Sequence, residues 1–270
     1  MINWFKKFSN FHKVYFIFFL VINIFFFISP VFTGSSIKSS LTLITIAGLL
    51  STITGLFAAI YTARAESAAY AWGVVNTIVY IAVSLSRHMY GEVILYTIYM
   101  LPMNMYGFYA WNKSTKAAKE KDSSSSTIEV RSLKKKQWIG IIIFVVVVWG
   151  LYSQFVYHLP SIVHSLFGAT IPHDTSYLID SFTATVTICA VIVSTQRFKE
   201  TWYFWILSDG VGIALYLHSL FAAPVFSLAA LSGAMMWIQF TVNAIYGLVV
   251  WRKIQTTEEK HEHANVAMQQ

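Results

Sequence analysis

Residues 197–209 read RFKETWYFWILSD, and residues 64–76 read RAESAAYAWGVVN. In each stretch an arginine (Arg197, Arg64) precedes a tyrosine (Tyr203, Tyr70) and then a tryptophan (Trp205, Trp72), and a shift of 133 positions also lays Asn76 on Asp209. A second match lies further along, where Tyr106-Gly107-Phe-Tyr-Ala-Trp111-Asn-Lys113 answers Tyr246-Gly247-Leu-Val-Val-Trp251-Arg-Lys253 at a shift of 140. Taken alone, the second motif is an ordinary exit signature, aromatic and basic residues anchoring a helix end at a membrane surface. Two matches at opposite ends of one apolar unit instead point to a duplicated segment. The change of shift implies about seven extra residues in the outer connection or last helix of the second copy.

The rest of the chain has the composition such a unit requires. Of 270 residues, 56% are hydrophobic and 17% aromatic, only 11% are charged, and the mean hydropathy is +0.59. Soluble domains carry roughly 25% charged residues, so a water-facing globule is excluded. A membrane-crossing helix needs about 20 apolar residues, and eight segments meet that test: 14–33, 39–62, 68–86, 90–111, 138–157, 175–195, 202–221 and 224–251. The run FFLVINIFFFI in the first is longer than the apolar core of a secretory signal and is followed by no small-residue cleavage site, so it is expected to stay as a helix.

The expected fold is an all-α polytopic membrane protein of about eight transmembrane helices, an N-terminal helix plus two parallel three-helix repeats joined by a linker helix. Its parts are an N-terminal cytoplasmic segment with the extra helix (1–38), the first repeat (39–111), a flexible basic linker (112–137), the inter-repeat helix (138–157), the second repeat (175–251) and a polar tail (252–270). With a cytoplasmic N-terminus, every lysine and arginine except Lys38 and Arg87 falls on the inner side. The positive-inside rule therefore places both termini in the cytoplasm, and the formal charge of +7 marks topology, not nucleic-acid binding. The single cysteine, Cys189, forbids an intrachain disulfide.

No glycine-rich phosphate loop, HExxH pair or serine nucleophile elbow occurs, so no catalytic residues, cofactor or enzymatic activity is expected. His158, His164, His173 and Asp174 in the outer loop, and His261 and His263 in the tail, fit no standard metal-ligand spacing. Polar side chains inside spans are a different matter, because they cost free energy there and are by default functional candidates. Trp202, Trp205 and Asp209 share one helical face, and Gln239, Asn243 and Tyr246 share another. Asn76 and Asn104 are the main polar intruders of the first unit, and Asp180, Thr183 and Thr187 line one face of span six. Counting 1.5 Å per residue from the cytoplasmic ends puts Asn76, Asn104, Asp209 and Asn243 at about one depth. Each amide taken singly also reads as interhelical glue. Together, flanked by aromatics, they suit a small, flat, hydrogen-bonding ligand.

These residues carry a resemblance. Glu200-Thr-Trp202-Tyr-Phe-Trp205 with Asp209, Tyr90-Gly91-Glu92 leading to Tyr106–Trp111, and Asn243-Ala-Ile-Tyr246-Gly247 through Trp251 resemble the PnuC family of bacterial vitamin transporters, over about residues 39 to 253. The resemblance implies a SWEET-like duplicated fold with an added N-terminal helix, a homotrimer in the inner membrane, and facilitated diffusion of nicotinamide riboside, an NAD precursor. Relatives of that kind carry thiamine, riboflavin or deoxynucleosides, and a membrane sensor that binds without translocating is the alternative from another class. By the same resemblance, Trp202 and Trp205 flank an aromatic ring, while Asp209, Gln239 and Asn243 bond ribose hydroxyls or a carboxamide. A cationic pyridinium ring also suits tryptophan faces beside a carboxylate.

Overall fold

The computed structural model describes residues 3–32, 42–86, 90–121, 130–173, 176–222 and 228–268, and all its regular structure is helical. After one helical turn at Asn3–Lys6 come α1 (Asn10–Phe32), α2 (Leu43–Ala63), α3 (Ala68–Ser86) and α4 (Tyr90–Leu95). A π turn at Tyr96–Met100 leads into α5 (Leu101–Lys121), followed by α6 (Lys135–Phe167), α7 (Tyr177–Thr195), α8 (Thr201–Ala222) and α9 (Leu228–Met268). Six helices among the described residues are long and apolar enough to cross a membrane: α1, α2, α3, α6, α7 and the segment Ala234–Thr257 of α9. The two other expected spans, α4 through α5 and α8, are helical as well.

Local chemistry explains the irregular points. Pro102 cannot donate to Ile98, so the helix widens just before it, and the Leu101 amide donates to Tyr96 O five residues back. Thr42 caps α2 reciprocally with Thr45, each side chain accepting from the other's backbone amide. Residues 112–121, expected to be flexible, instead prolong α5, because Lys, Ala and Glu are strong helix formers. The same propensity carries α9 through the expected polar tail to Met268. The serine run 123–126 lies outside the described residues, as do Lys38, Arg87 and Asp174.

Six segments close a ring through successive contacts, α2 with α3, α3 with α5, α5 with α7, α7 with α8, α8 with α9, and α9 back with α2. α1 lies outside the ring against α2 and α9, and α6 lies outside against α7. The outer faces are apolar, with Ile139, Ile142, Val146 and Leu151 of α6 exposed, as a surface turned to lipid requires.

The turns that open α3 and α8 lie at one end of the ring. There Trp111, Trp202, Trp251, Tyr70, Ala63, Ala65 and Val130 form one buried cluster. Trp111 Nε1 midway along α5 donates to Ser194 O on α7 (3.1 Å), and Trp251 Nε1 on α9 donates to Thr62 O on α2 (3.0 Å). The tail of the linker is tied in as well. Arg131 pairs with the 197–199 turn through Arg131 N to Arg197 O (2.8 Å) and Lys199 N to Arg131 O (3.0 Å), and Leu133 N donates to Glu200 Oε2 (3.1 Å).

The turns that open α3 and α8 have one geometry, in a register that differs from the sequence match. Ala65 (φ 57°) and Arg197 (φ 67°) hold the same left-handed position, and the amides of both donate three residues back, to Thr62 O and Ser194 O. These residues are 132 apart, not 133. Exposure along the two helices keeps that phase: Ala69 and Thr201, Tyr70 and Trp202, and Thr77 and Asp209 are buried, whereas Val75 and Leu207 are exposed. The arginines therefore do not correspond. Arg64 bridges Glu66 and donates to Lys7 O, and Arg197 donates to Ser114 Oγ. It is Thr77, not Asn76, that occupies on α3 the place Asp209 has on α8.

Candidate functional site

Two glycine contacts set α8 against α9. Gly247 leaves room for the Trp202 ring, and Gly212 leaves room for the Trp237 ring, so a Cβ at either position would overlap an indole. Ten residues along α8 thus match ten residues back along α9, an antiparallel register that sets Asp209 level with Phe240. Gln239 is the neighbour of that residue, and Asn243 lies one turn away, on the face that carries Gln239.

All three polar residues are sealed from solvent, Asp209 at 2% exposure, Gln239 at 0% and Asn243 at 3%. Each carries an unpaired atom. Gln239 Oε1 accepts from Asn23 Nδ2 of α1 (2.8 Å), and its backbone O accepts from Tyr15 Oη (2.9 Å), but Nε2 has no partner. Asn243 Nδ2 donates to Ala59 O of α2 (2.9 Å), leaving Oδ1 unpaired, and Asp209 Oδ2 is likewise unpaired. Buried polar groups are almost always bonded, and a lone buried carboxylate oxygen is among the costliest exceptions. One free donor and two free acceptors within neighbouring turns make a surface that a polyhydroxylated ligand would complete. The indole N–H groups of Trp202 and Trp237, at the two glycine contacts, are also buried and unpaired.

The other expected residues separate into different seams. Trp202 is 2% exposed and packs edge-on against Trp251 (5.5 Å between ring centroids), while Trp205 is half-buried between the tryptophan cluster and the α6–α7–α8 core. Tyr246 stacks on Phe11 of α1 (3.9 Å, 7°) and donates to Ser9 Oγ (3.1 Å). Asn76 turns to α2, donating to Ser51 O (2.5 Å) and Ser51 Oγ (3.1 Å). Asn104 donates to Thr77 Oγ1 (3.1 Å) and Met100 O (3.0 Å), closing the α3–α5 seam. Thr187 meets Ser208 Oγ (3.2 Å) between α7 and α8, and Thr183 donates to Asp180 O within its own helix. Of the expected polar layer, then, Asp209, Gln239 and Asn243 come together with unpaired atoms, and Asn76 and Asn104 bond elsewhere. Trp237 and the α1 residues Tyr15 and Asn23 escaped the sequence reading. Asn23 had a visible signal, being the one amide in an apolar run.

The model of the nicotinamide mononucleotide transporter family matches residues 42–253. The chain belongs to that family. It is therefore a multi-pass membrane transporter and not an enzyme. Among curated members, a nicotinamide riboside transporter PnuC of Neisseria mucosa is 24% identical over 202 residues, 75% of this chain and 70% of the relative. Those of Haemophilus influenzae and Escherichia coli are each 21% identical, over 76% and 69% of this chain and 79% and 82% of theirs. A crystal structure of the vitamin B3 transporter PnuC shares the fold, with a TM-score of 0.65 at 21% identity, covering 93% of this chain and 94% of that one.

Proposed function

We propose that this family member imports nicotinamide riboside across the cytoplasmic membrane by facilitated diffusion, using Asp209, Gln239 and Asn243 to bond the ribose or carboxamide. The observation that carries the proposal is the trio of unpaired buried atoms, Asp209 Oδ2, Gln239 Nε2 and Asn243 Oδ1, inside a transporter fold. The relatives named above are nicotinamide riboside transporters, which favours that ligand over thiamine, riboflavin or a deoxynucleoside.

The family's description names the mononucleotide, which adds a phosphate to the riboside. A buried phosphate needs arginine or lysine, and residues 201–251 contain neither. Asp209 would repel it further. The uncharged ribose and cationic pyridinium of the riboside suit this site better, with the half-buried Trp205, one turn from Asp209 on α8, offering its face to the ring while Trp202 stays in the tryptophan cluster.

Alternating access is the proposed mechanism. Two parallel three-helix units, α2–α5 and α7–α9, would rock about the site while α6 returns the chain across the membrane. The shared turn geometry, the in-phase burial at a shift of 132 and the reciprocal contacts of Trp111 and Trp251 support a duplicated, SWEET-like arrangement. The basic end of the ring would face the cytoplasm with both termini, by the positive-inside rule. Assembly as a homotrimer rests on the family resemblance. The test is uptake into vesicles that contain only this protein. Labelled nicotinamide riboside should equilibrate and the mononucleotide should not, whereas vesicles that pass neither would refute transport of this substrate.

A further inference from the structure

Gln239 has two chemically different ends, and what fixes their order is a residue outside the six-helix ring. A buried primary amide reverses donor and acceptor by a half-turn of its last torsion, so its orientation is set by whichever neighbour holds one end. Here that neighbour is Asn23 of α1, whose Nδ2 donates to Gln239 Oε1 at 2.8 Å. With the carbonyl end held by a donor, the free end is the Nε2 group, left unpaired in a wholly buried side chain. Two further contacts seat α1 on the same side of α9, Tyr15 Oη on the backbone oxygen of Gln239 and the Phe11 ring flat on Tyr246. Phe11, Tyr15 and Asn23 recur at multiples of four, so one stripe of α1 faces α9.

We propose that Asn23 is a positioning residue of the substrate site, keeping Gln239 as a hydrogen-bond donor to an acceptor oxygen of the ligand. α1 thus does more than anchor the chain, because it sets the polarity of one contact in a site it does not itself line. This rests on the nicotinamide riboside reading of the Asp209–Gln239–Asn243 cluster.

The test is a double-mutant cycle on the full-length purified protein, with nicotinamide riboside affinity measured by calorimetry. Asn23→Asp keeps the shape of the side chain but replaces the donor with oxygen, and Asn23→Leu removes polarity altogether. Each should weaken binding about three- to tenfold, the range expected of a membrane-buried hydrogen bond. In a Gln239→Ala background the same changes should alter affinity by less than about twofold, because the residue through which they act is gone. A role in packing alone predicts the opposite, a harmless Asn23→Asp or a loss that persists undiminished without Gln239, and either result overturns the proposal. If Asn23→Leu does not fold, the isosteric aspartate variant still decides. The two proposals fail differently. Wild-type protein that binds no nicotinamide riboside refutes the substrate, and this inference with it, whereas wild-type binding with additive effects refutes only the role of Asn23.

Discussion

The α3 and α8 helices start from the same turn, bury the same positions and meet a third helix through a glycine at the same place, yet they treat polar groups in opposite ways. On the α3 side, Tyr70 packs on Gly107 and Trp111, Thr77 accepts from Asn104, and Asn76 donates to Ser51. On the α8 side, Trp202 packs on Gly247 and Trp251, and at the place of Thr77 stands Asp209 with an oxygen unpaired. Apart from the Ser84 hydroxyl, the unpaired buried atoms of the two three-helix units all lie on the α7–α9 side, among the described residues. One unit has spent its polar groups on holding itself together, and the other keeps them open. Similar backbones thus treat their polar groups unequally: the first unit pairs them across its seams, and the second leaves several unpaired.

Substitutions at matched positions should break this asymmetry if it is wrong. The largest expected effect is on binding. Asp209→Ala and Trp205→Ala should each lower nicotinamide riboside affinity at least tenfold, about 1.4 kcal/mol, by calorimetry. Thr77→Ala should leave affinity unchanged, and equal losses at both positions would erase the contrast. Next come the glycines. Gly107→Ala and Gly247→Ala each drive a Cβ into an aromatic ring and should cost about 1–3 kcal/mol, read as a lower melting temperature. Only Gly247→Ala, which pushes α9 with its Gln239 and Asn243 away from α8, should also weaken the ligand.

Smaller effects sharpen the comparison. Trp111→Phe and Trp251→Phe each remove one indole–carbonyl bond and should each destabilise by about 1 kcal/mol. Here equality is the expectation, because both tie the end of one unit to the first helix of the other. Smallest of all, Thr77→Ala should lower stability by about 0.6 kcal/mol, the mean for a side-chain hydrogen bond within a membrane bundle.

Much of this was legible in the sequence, for identifiable reasons. Hydropathy located the helices because the bilayer imposes a length and an internally bonded backbone on each. The Gly107–Trp111 and Gly247–Trp251 motifs look alike because in each a glycine admits an aromatic ring and a tryptophan donates to a distant carbonyl. The upstream match slipped by one residue because it was anchored on Arg64 and Arg197, which bond to unrelated partners. Asp209 stood out as a lone carboxylate in an apolar span. Asn76 and Asn104 looked equivalent to it, since one-dimensional depth says nothing about which seam a side chain enters. Asn23 went unweighed because α1 lay outside the repeat, and only the fold sets it beside Gln239.

The reciprocal clasp of Trp111 on α7 and Trp251 on α2 has a consequence for how the polypeptide is held together. Each unit's last helix grips the other unit's first, so the ring is closed by side-chain and main-chain contacts at both joints, while the covalent thread between the units runs through α6 outside the ring. Cutting that thread between residues 122 and 129 therefore leaves both joints intact. Two separately encoded fragments should find each other in the bilayer and rebuild the closed ring, as two subunits of a dimer would.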